Sequence, residues 1–184
     1  MKIFPSDGIS SKIARKYIYL DNDFLSQLFY DEIVLTEALT ALKKSVFLID
    51  TLTALEFLRE VYLPEQYHKK KSFVSNPIFA PAVDHPDIYK HLQENALLLS
   101  RIYAHQNHNT KSDLVDLFLA ARLMYSQAPL LITGNKKHFP SCIFNTLGVL
   151  NIEQSGDGSM RAFSIVQFNK HNFEQCNSLL EHLS

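Results

Sequence analysis

Acidic residues punctuate this chain at places where strands of a sheet would end. Asp21, Asn22 and Asp23 follow the apolar run 17–20. Glu56 lies shortly after a second apolar run, 46–49. Asp113 and Asp116 precede a third, 130–133, which closes on Thr133-Gly134-Asn135. In an open parallel sheet, ligands bind outside the carboxyl ends of the strands. Acidic groups from distant parts of the chain would then gather at one edge. Carboxylates brought together repel one another. Mg²⁺ or Mn²⁺, hard ions that favour carboxylate oxygens and keep several waters, would relieve that repulsion. An ion held there can activate water and offset charge on a phosphorane-like transition state. The chemistry expected of such a cluster is phosphodiester hydrolysis.

The elements that must position these residues are legible from periodicity. Residues 17–20, 46–49 and 130–133 read as buried strands, with further strands at 149–152 and 162–168. Residues 23–30 and 32–44 have helical spacing, with Ile33, Leu35, Leu39 and Leu42 on or near one face. Thr51 or Thr53 is expected to cap the helix that carries Leu55, Glu56 and Phe57. Residues 75–86, with three prolines, read as a loop. Residues 87–106 form a long helix with the apolar stripe Leu92, Ala96, Leu99 and Tyr103. Ser112 or Asp113 caps a helix running to about residue 127. Residues 154–160 contain a Ser-Gly-Asp-Gly-Ser turn, and 173–183 close the chain as an amphipathic helix. Short apolar strands alternating with helices point to an α/β fold with a mainly parallel sheet.

The 184 residues suit one domain able to bury a core without staples. Apolar residues make up 46% and charged residues 20%, the balance of an ordinary soluble protein. No stretch approaches the apolar length of a membrane span. Residues 1–16 carry basic side chains with no apolar run behind them, so no secretory leader is expected. Two cysteines, Cys142 and Cys176, without a CxxC spacing, read as reduced thiols of a cytoplasmic protein. A net charge of −1 argues against a passive nucleic-acid coat, and any groove for RNA must be locally basic.

Four segments, in order, resemble the motifs of the PIN-domain ribonucleases. The run Tyr17-Ile18-Tyr19-Leu20-Asp21-Asn22-Asp23-Phe24-Leu25 is similar to that family's opening strand and acidic turn, with Asp23 where the family often has Asn. Thr53-Ala54-Leu55-Glu56-Phe57-Leu58 resembles the helix bearing its glutamate. Asp116-Leu117-Phe118-Leu119-Ala120-Ala121 resembles its third motif, and Thr133-Gly134-Asn135 through Phe139 its last. The resemblance spans roughly residues 17–152. It implies a three-layer α/β/α PIN-like fold, a metal-dependent endoribonuclease, and Asp21, Glu56 and Asp116 as catalytic ligands of Mg²⁺ or Mn²⁺. Asn135 stands at the family's fourth, usually acidic, position, and Asp113, one helical turn before Asp116, would supply the missing charge. Asp23 and Thr133 would support the site, and Lys136 and Lys137, with His138, would contact RNA phosphates. Small stand-alone members are often toxins of toxin–antitoxin pairs, so an antitoxin protein and a second copy of the chain are the expected partners. On this reading residues 1–16 and 153–184 are additions to the core, the latter a hairpin and helix.

Each residue also has a plainer role. Asp21, Asp23 and Asp113 suit helix caps, and Glu56 suits a solvent face. Lys69, Lys70 and Lys71 read as a solvated charge run. His105 and His108 have a ligand-like spacing but lack companions for a zinc site. Asp21-Asn22-Asp23 also matches the Asp-x-Asp of haloacid-dehalogenase-type phosphatases, and Ser155-Gly156-Asp157-Gly158 mimics their Gly-Asp motif. That alternative gives Glu56 and Asp116 no role. A non-catalytic PIN-like binding domain is the third reading, motivated by Asn135.

Overall fold

In a computed structural model, residues 3–42, 44–59, 61–82, 85–105, 113–126, 128–154 and 158–181 are described. Among them, seven strands form one sheet. In chain order they are β1 (Ile3–Pro5), β2 (Tyr17–Leu20), β3 (Val46–Ile49), β4 (Phe79–Pro81), β5 (Leu130–Thr133), β6 (Phe144–Glu153) and β7 (Met160–Phe168). Their order across the sheet is β1-β6-β7-β5-β2-β3-β4. Strands β5, β2, β3 and β4 are mutually parallel, and β7 is antiparallel to both β5 and β6. Strand β6 therefore runs with the parallel set, while β1 and β7 oppose it.

Among the described residues, eight α-helices cover the two faces: α1 (Ile9–Ile13), α2 (Asn22–Tyr30), α3 (Glu32–Ala41), α4 (Thr51–Leu58), α5 (Pro64–Val74), α6 (Pro86–His105), α7 (Leu114–Ser126) and α8 (Lys170–Glu181). The period-2 alternation of the strands sorts their side chains between two cores. Ile18, Leu20, Leu130, Ile132, Phe163 and Ile165 pack with α1, α2, α3 and α4. Tyr19, Leu131, Val166 and Phe168 pack with α6, α7 and α8. The result is a three-layer α/β/α sandwich. The long helix α6 buries Leu92, Ala96, Leu99 and Tyr103, the stripe read from its sequence.

Several expectations need correction. Neither Thr51 nor Thr53 caps α4; Asp50 does, its carboxylate accepting from Leu52 N–H at 2.7 Å. The buried line of α3 is Val34, Ala38 and Leu42, with Leu35 and Leu39 packed beside it and Ile33 exposed. The 75–86 loop contains β4, a short edge strand that tolerates Pro81 at its end. Within residues 3–16, β1 pairs with β6, and Ile9 and Ile13 of α1 are buried in the core. Strand β7 lies inside the sheet, between β5 and β6. The strand expected at 149–152 is part of the longer β6, joined to β7 through a bulge near Gly148. A Cβ at Gly148 would run into Ser6 and Ile9. The charge run is only partly solvated, since Lys70 Nζ donates to Phe57 O at 2.8 Å and lies 4.3 Å from the Phe57 ring. Ser112, His108 and residues 155–157 of the expected turn lie outside the described residues. Among the described residues, no helix is long and apolar enough to cross a membrane.

Candidate active site

The chain leaves β2 for α2 on one face of the sheet, and leaves β5 for the turn Lys136–His138 and Phe139, which packs in the core of the other face. The carboxyl ends of β2 and β5 therefore splay their connections apart, and a crevice opens between them. Asp21 is the first residue past β2, and its N–H donates to Ile132 O of β5 at 3.1 Å. Leu20 pairs with Ile132, so Asp21 sits level with Thr133. Asp21, Asn22, Asp23, Glu56, Asp113, Val115, Asp116, Asn135 and His138 line one cavity there, of about 170 Å³. Carboxylates from α2, α4 and α7 and from the segments just before them meet although they are distant in sequence.

Local structure fixes each group. Asp21 caps α2, one oxygen accepting from Asn22 N–H at 2.7 Å and the other from the Thr133 hydroxyl at 2.6 Å. The Thr133 oxygen in turn accepts from Asn135 N–H at 2.9 Å, so one buried hydroxyl ties the two strand ends together. Asp23, in the first turn of α2, accepts from Gly134 N–H at 2.8 Å and faces the Arg161 guanidinium of β7 at 4.0 Å. A Cβ at Gly134 would collide with that carboxylate, which is why glycine stands there. Glu56 is half-buried, with Arg59 at 3.8 Å, and receives a hydrogen bond from the Asn22 side chain. Asp116, in the first turn of α7, touches His138 Nδ1. Asp113 precedes α7 at the exposed mouth, its carboxylate 3.4 Å from Val115 N–H, as a cap would be.

The electrostatics carry the mark of crowding. Burial, then the charges of Asp23 and Asp116, push the Asp21 carboxyl up to about 8, against the opposing hydrogen bonds of Thr133 and Asn22. Burial also raises Asp23, and Arg161 only partly offsets it. Glu56 is raised by burial and by the charges of Asp113 and Asp116. Asp116 is raised by burial despite His138. Burial leads every one of these shifts, and neighbouring carboxylates add to it most at Asp21 and Glu56.

The cavity's chemistry suits a divalent ion. Among the described residues, no three His, Cys, Asp or Glu side chains already stand in ligating geometry; the acids ring the cavity rather than converge on one point. Their donor type nonetheless fits Mg²⁺ or Mn²⁺, being oxygen-rich and strongly anionic. Two buried oxygens of residues that line it, Asn22 Oδ1 and Asp23 Oδ1, accept no hydrogen bond. A buried acceptor without a donor is costly, and a cation removes the cost.

All four acids singled out from the resemblance and its surroundings, Asp21, Glu56, Asp113 and Asp116, line the cavity, as does Asn135. Asp23 does so too, while Thr133 is fully buried behind the wall. Lys136 and Lys137 are exposed on the 3-10 turn Lys136–His138 and do not line the cavity. Sequence reading assigned His138 to phosphate contact, whereas its ring faces Asp116. It missed Asn22, Arg161 and the buried ion pair of Asp50 with Arg122 of α7, which fastens the start of α4 to α7. The position of Asn135 and His138 three residues apart around a tight turn was the one available signal for the histidine. Cys142 and Cys176 lie together as thiols, Cys176 Sγ donating to Cys142 O at 3.6 Å, and burial pushes Cys142 up to about 11. No family model, no curated protein and no solved structure matches the chain.

Proposed function

We propose that this chain is a PIN-type, metal-dependent endoribonuclease that hydrolyses RNA phosphodiester bonds. The observation that carries the reading is that Asp21, Glu56 and Asp116, distant in sequence, line one cavity at the crevice between β2 and β5, where the charge of Asp116 adds to the burial that raises the other two. These three, with Asp113 and the Asn135 amide oxygen beside them, would hold Mg²⁺ or Mn²⁺. Such an ion supplies Lewis acidity toward a water and a phosphate oxygen. The protein's own contribution is orientation. Thr133 holds the Asp21 carboxylate from behind, Asp23 fixes the Gly134 turn, and the Asp50–Arg122 pair sets α4 against α7. Lys136 and Lys137, exposed on the turn that carries His138, would meet phosphates of a bound strand. The phosphatase alternative uses Asp21 and Asp23 alone and leaves Glu56 and Asp116 idle in the same cavity.

The proposal extends to a toxin of the toxin–antitoxin type acting in the cytoplasm, with an antitoxin protein that covers the acidic cavity. It is tested by incubating the purified chain with structured and unstructured RNA in Mn²⁺, Mg²⁺ or EDTA, beside Asp116→Asn. The expected result is cleavage that requires metal and falls at least about a hundredfold in the variant. Metal-independent cleavage, or full activity in the variant, would refute it.

A further inference from the structure

Two arginines flank the acidic cavity without lining it. Strand β7 neighbours β5 on the side away from β2, and α4 follows β3, which neighbours β2 on the side away from β5. Arg161 of β7 and Arg59, the residue that ends α4, therefore reach the crevice from opposite sides. Arg161 comes within 4.0 Å of the Asp23 carboxylate and Arg59 within 3.8 Å of Glu56. Both separations exceed the roughly 2.7–2.9 Å of a charge-assisted hydrogen bond. Both side chains stay open to solvent, 46% and 59% exposed. We propose that Arg161 and Arg59 grip backbone phosphates of one RNA strand on the two flanks of the cavity, so that the strand crosses the crevice from the α4 side to the β7 side. This rests on the RNA-cleaving reading above and not on which ion the cavity takes.

The charge of the site creates the need for such cations. A phosphate chain that reaches the cavity meets Asp21, Asp23, Glu56, Asp113 and Asp116, and the protein as a whole carries a net charge of −1. Attraction must come from cations set beside the acids. Arg161 is held in a suitable place. Strand β7 pairs with β5 only as far as Ser164, opposite Thr133, and residues 160–163 run on past that level, paired with β6 alone. Arg161 and Phe163 share a face by the period-2 alternation. The guanidinium lies 4.9 Å from the Phe163 ring, and its Nη1 donates to the Gln27 side-chain oxygen at 3.5 Å. Phe163 is itself fully buried, edge-on to Phe24 of α2. This support orients the guanidinium, whose planar fork matches two phosphate oxygens at once. On the other flank Arg59 leaves α4 close to where Lys70 of α5 donates to Phe57 O, so a second cation stands near it.

The test follows binding of a labelled oligoribonucleotide to the full chain by fluorescence anisotropy, in EDTA, over a range of salt. The variants are Arg161→Gln, Arg59→Gln, Arg161→Lys and Lys12→Gln. The last is a matched loss of charge on α1, whose end meets Ser45 at the amino ends of β2 and β3. Each lost phosphate contact should weaken binding several-fold and lower the slope of log affinity against log salt by about 0.7, alike for two unrelated RNA sequences. Arg161→Lys should recover most of that slope, since the charge remains, and Lys12→Gln should keep all of it. Slopes unchanged in both arginine-to-glutamine variants, or lowered as far in Lys12→Gln, overturn the inference and leave the arginines as counter-charges of Asp23 and Glu56. A glutamate-rich peptide that displaces the label as well as unlabelled RNA does overturns it in favour of an acidic protein. In the cleavage assay with divalent ion, Arg161→Gln should raise KM more than it lowers kcat. A protein that binds no RNA removes this inference and the nuclease reading together. Arginine-dependent binding without cleavage upholds the grip and removes the nuclease, and cleavage with arginine-independent binding does the reverse.

Discussion

Asp21→Asn should make the metal-free protein more stable at neutral pH and less stable in acid. The Asp21 carboxyl is pushed from 3.8 in the open chain to about 8 in the fold. Between those values the native state holds a proton that the unfolded chain has released, so stability falls as pH rises. The loss is complete only above about pH 8. At about 1.4 kcal/mol for each unit of displacement, the cost reaches roughly 4 kcal/mol at pH 7 as an upper bound. Asn cannot ionise and escapes that cost. It keeps an oxygen for the Asn22 N–H but gives up the carboxylate that accepts from the Thr133 hydroxyl, worth about 1 kcal/mol. Asp23, Glu56 and Asp116 also remain, so only part of the repulsion is relieved. The net expectation is a gain of about 1–3 kcal/mol at pH 7.5 and a loss of about 1 kcal/mol at pH 4. Urea unfolding in EDTA across pH 4 to 8 measures it. A stability difference that does not change with pH, or one that favours the wild type increasingly as pH rises, would refute the reasoning. Adding Mn²⁺ should shrink or cancel the variant's advantage, because a ligand at a hundred times its Kd stabilises the wild type by about 2.7 kcal/mol while the variant has lost a carboxylate to bind it.

Asn135→Asp should tighten divalent-ion binding about tenfold in calorimetry, since it adds charge to the donor set; weaker or unchanged binding would place Asn135 outside the site. Arg122→Ala strands the buried Asp50 carboxylate and should cost about 3–5 kcal/mol in denaturant unfolding, whereas a loss under 1 kcal/mol would show that the pair contributes little. Gly134→Ala drives a methyl into the Asp23 carboxylate, so it should cost about 1–3 kcal/mol, with weakened metal binding in the same preparation. Wild-type stability in that variant would argue against the Asp23–Gly134 contact.

The parts of the site legible in the sequence were those where a polar residue ended an apolar run. Asp21 and Thr133 are placed by the strands they terminate, and strands β2, β3 and β5 are buried enough to read as uninterrupted apolar segments. Asp116 was visible because a carboxylate amid Leu114, Val115, Leu117 and Phe118 needs a reason. What escaped depends on distant partners. Asp50 looks like one more residue before a helix until Arg122 arrives from α7. His138 looks like the end of a basic run until the turn folds it over Asp116. The short β1, α1 and β4 carry too few residues for a period to emerge, and their identity comes from pairing with β6 and β3.

Strand β7 is the last strand in chain order, yet it lies inside the sheet, between β5 and β6. During synthesis the edge of β5 therefore stays unpaired until nearly the whole described chain has emerged, and β6 and β1 have nothing to join. Arg161, the cation that faces Asp23, arrives on that same strand. A ribosome-bound fragment can make the acidic crevice of β2 and β5 only in a loose form with a raw edge, a state in which chains are prone to mispair. On the nuclease reading proposed above, the acidic crevice would gain its closed sheet and its Arg161 only when β7 enters between β5 and β6.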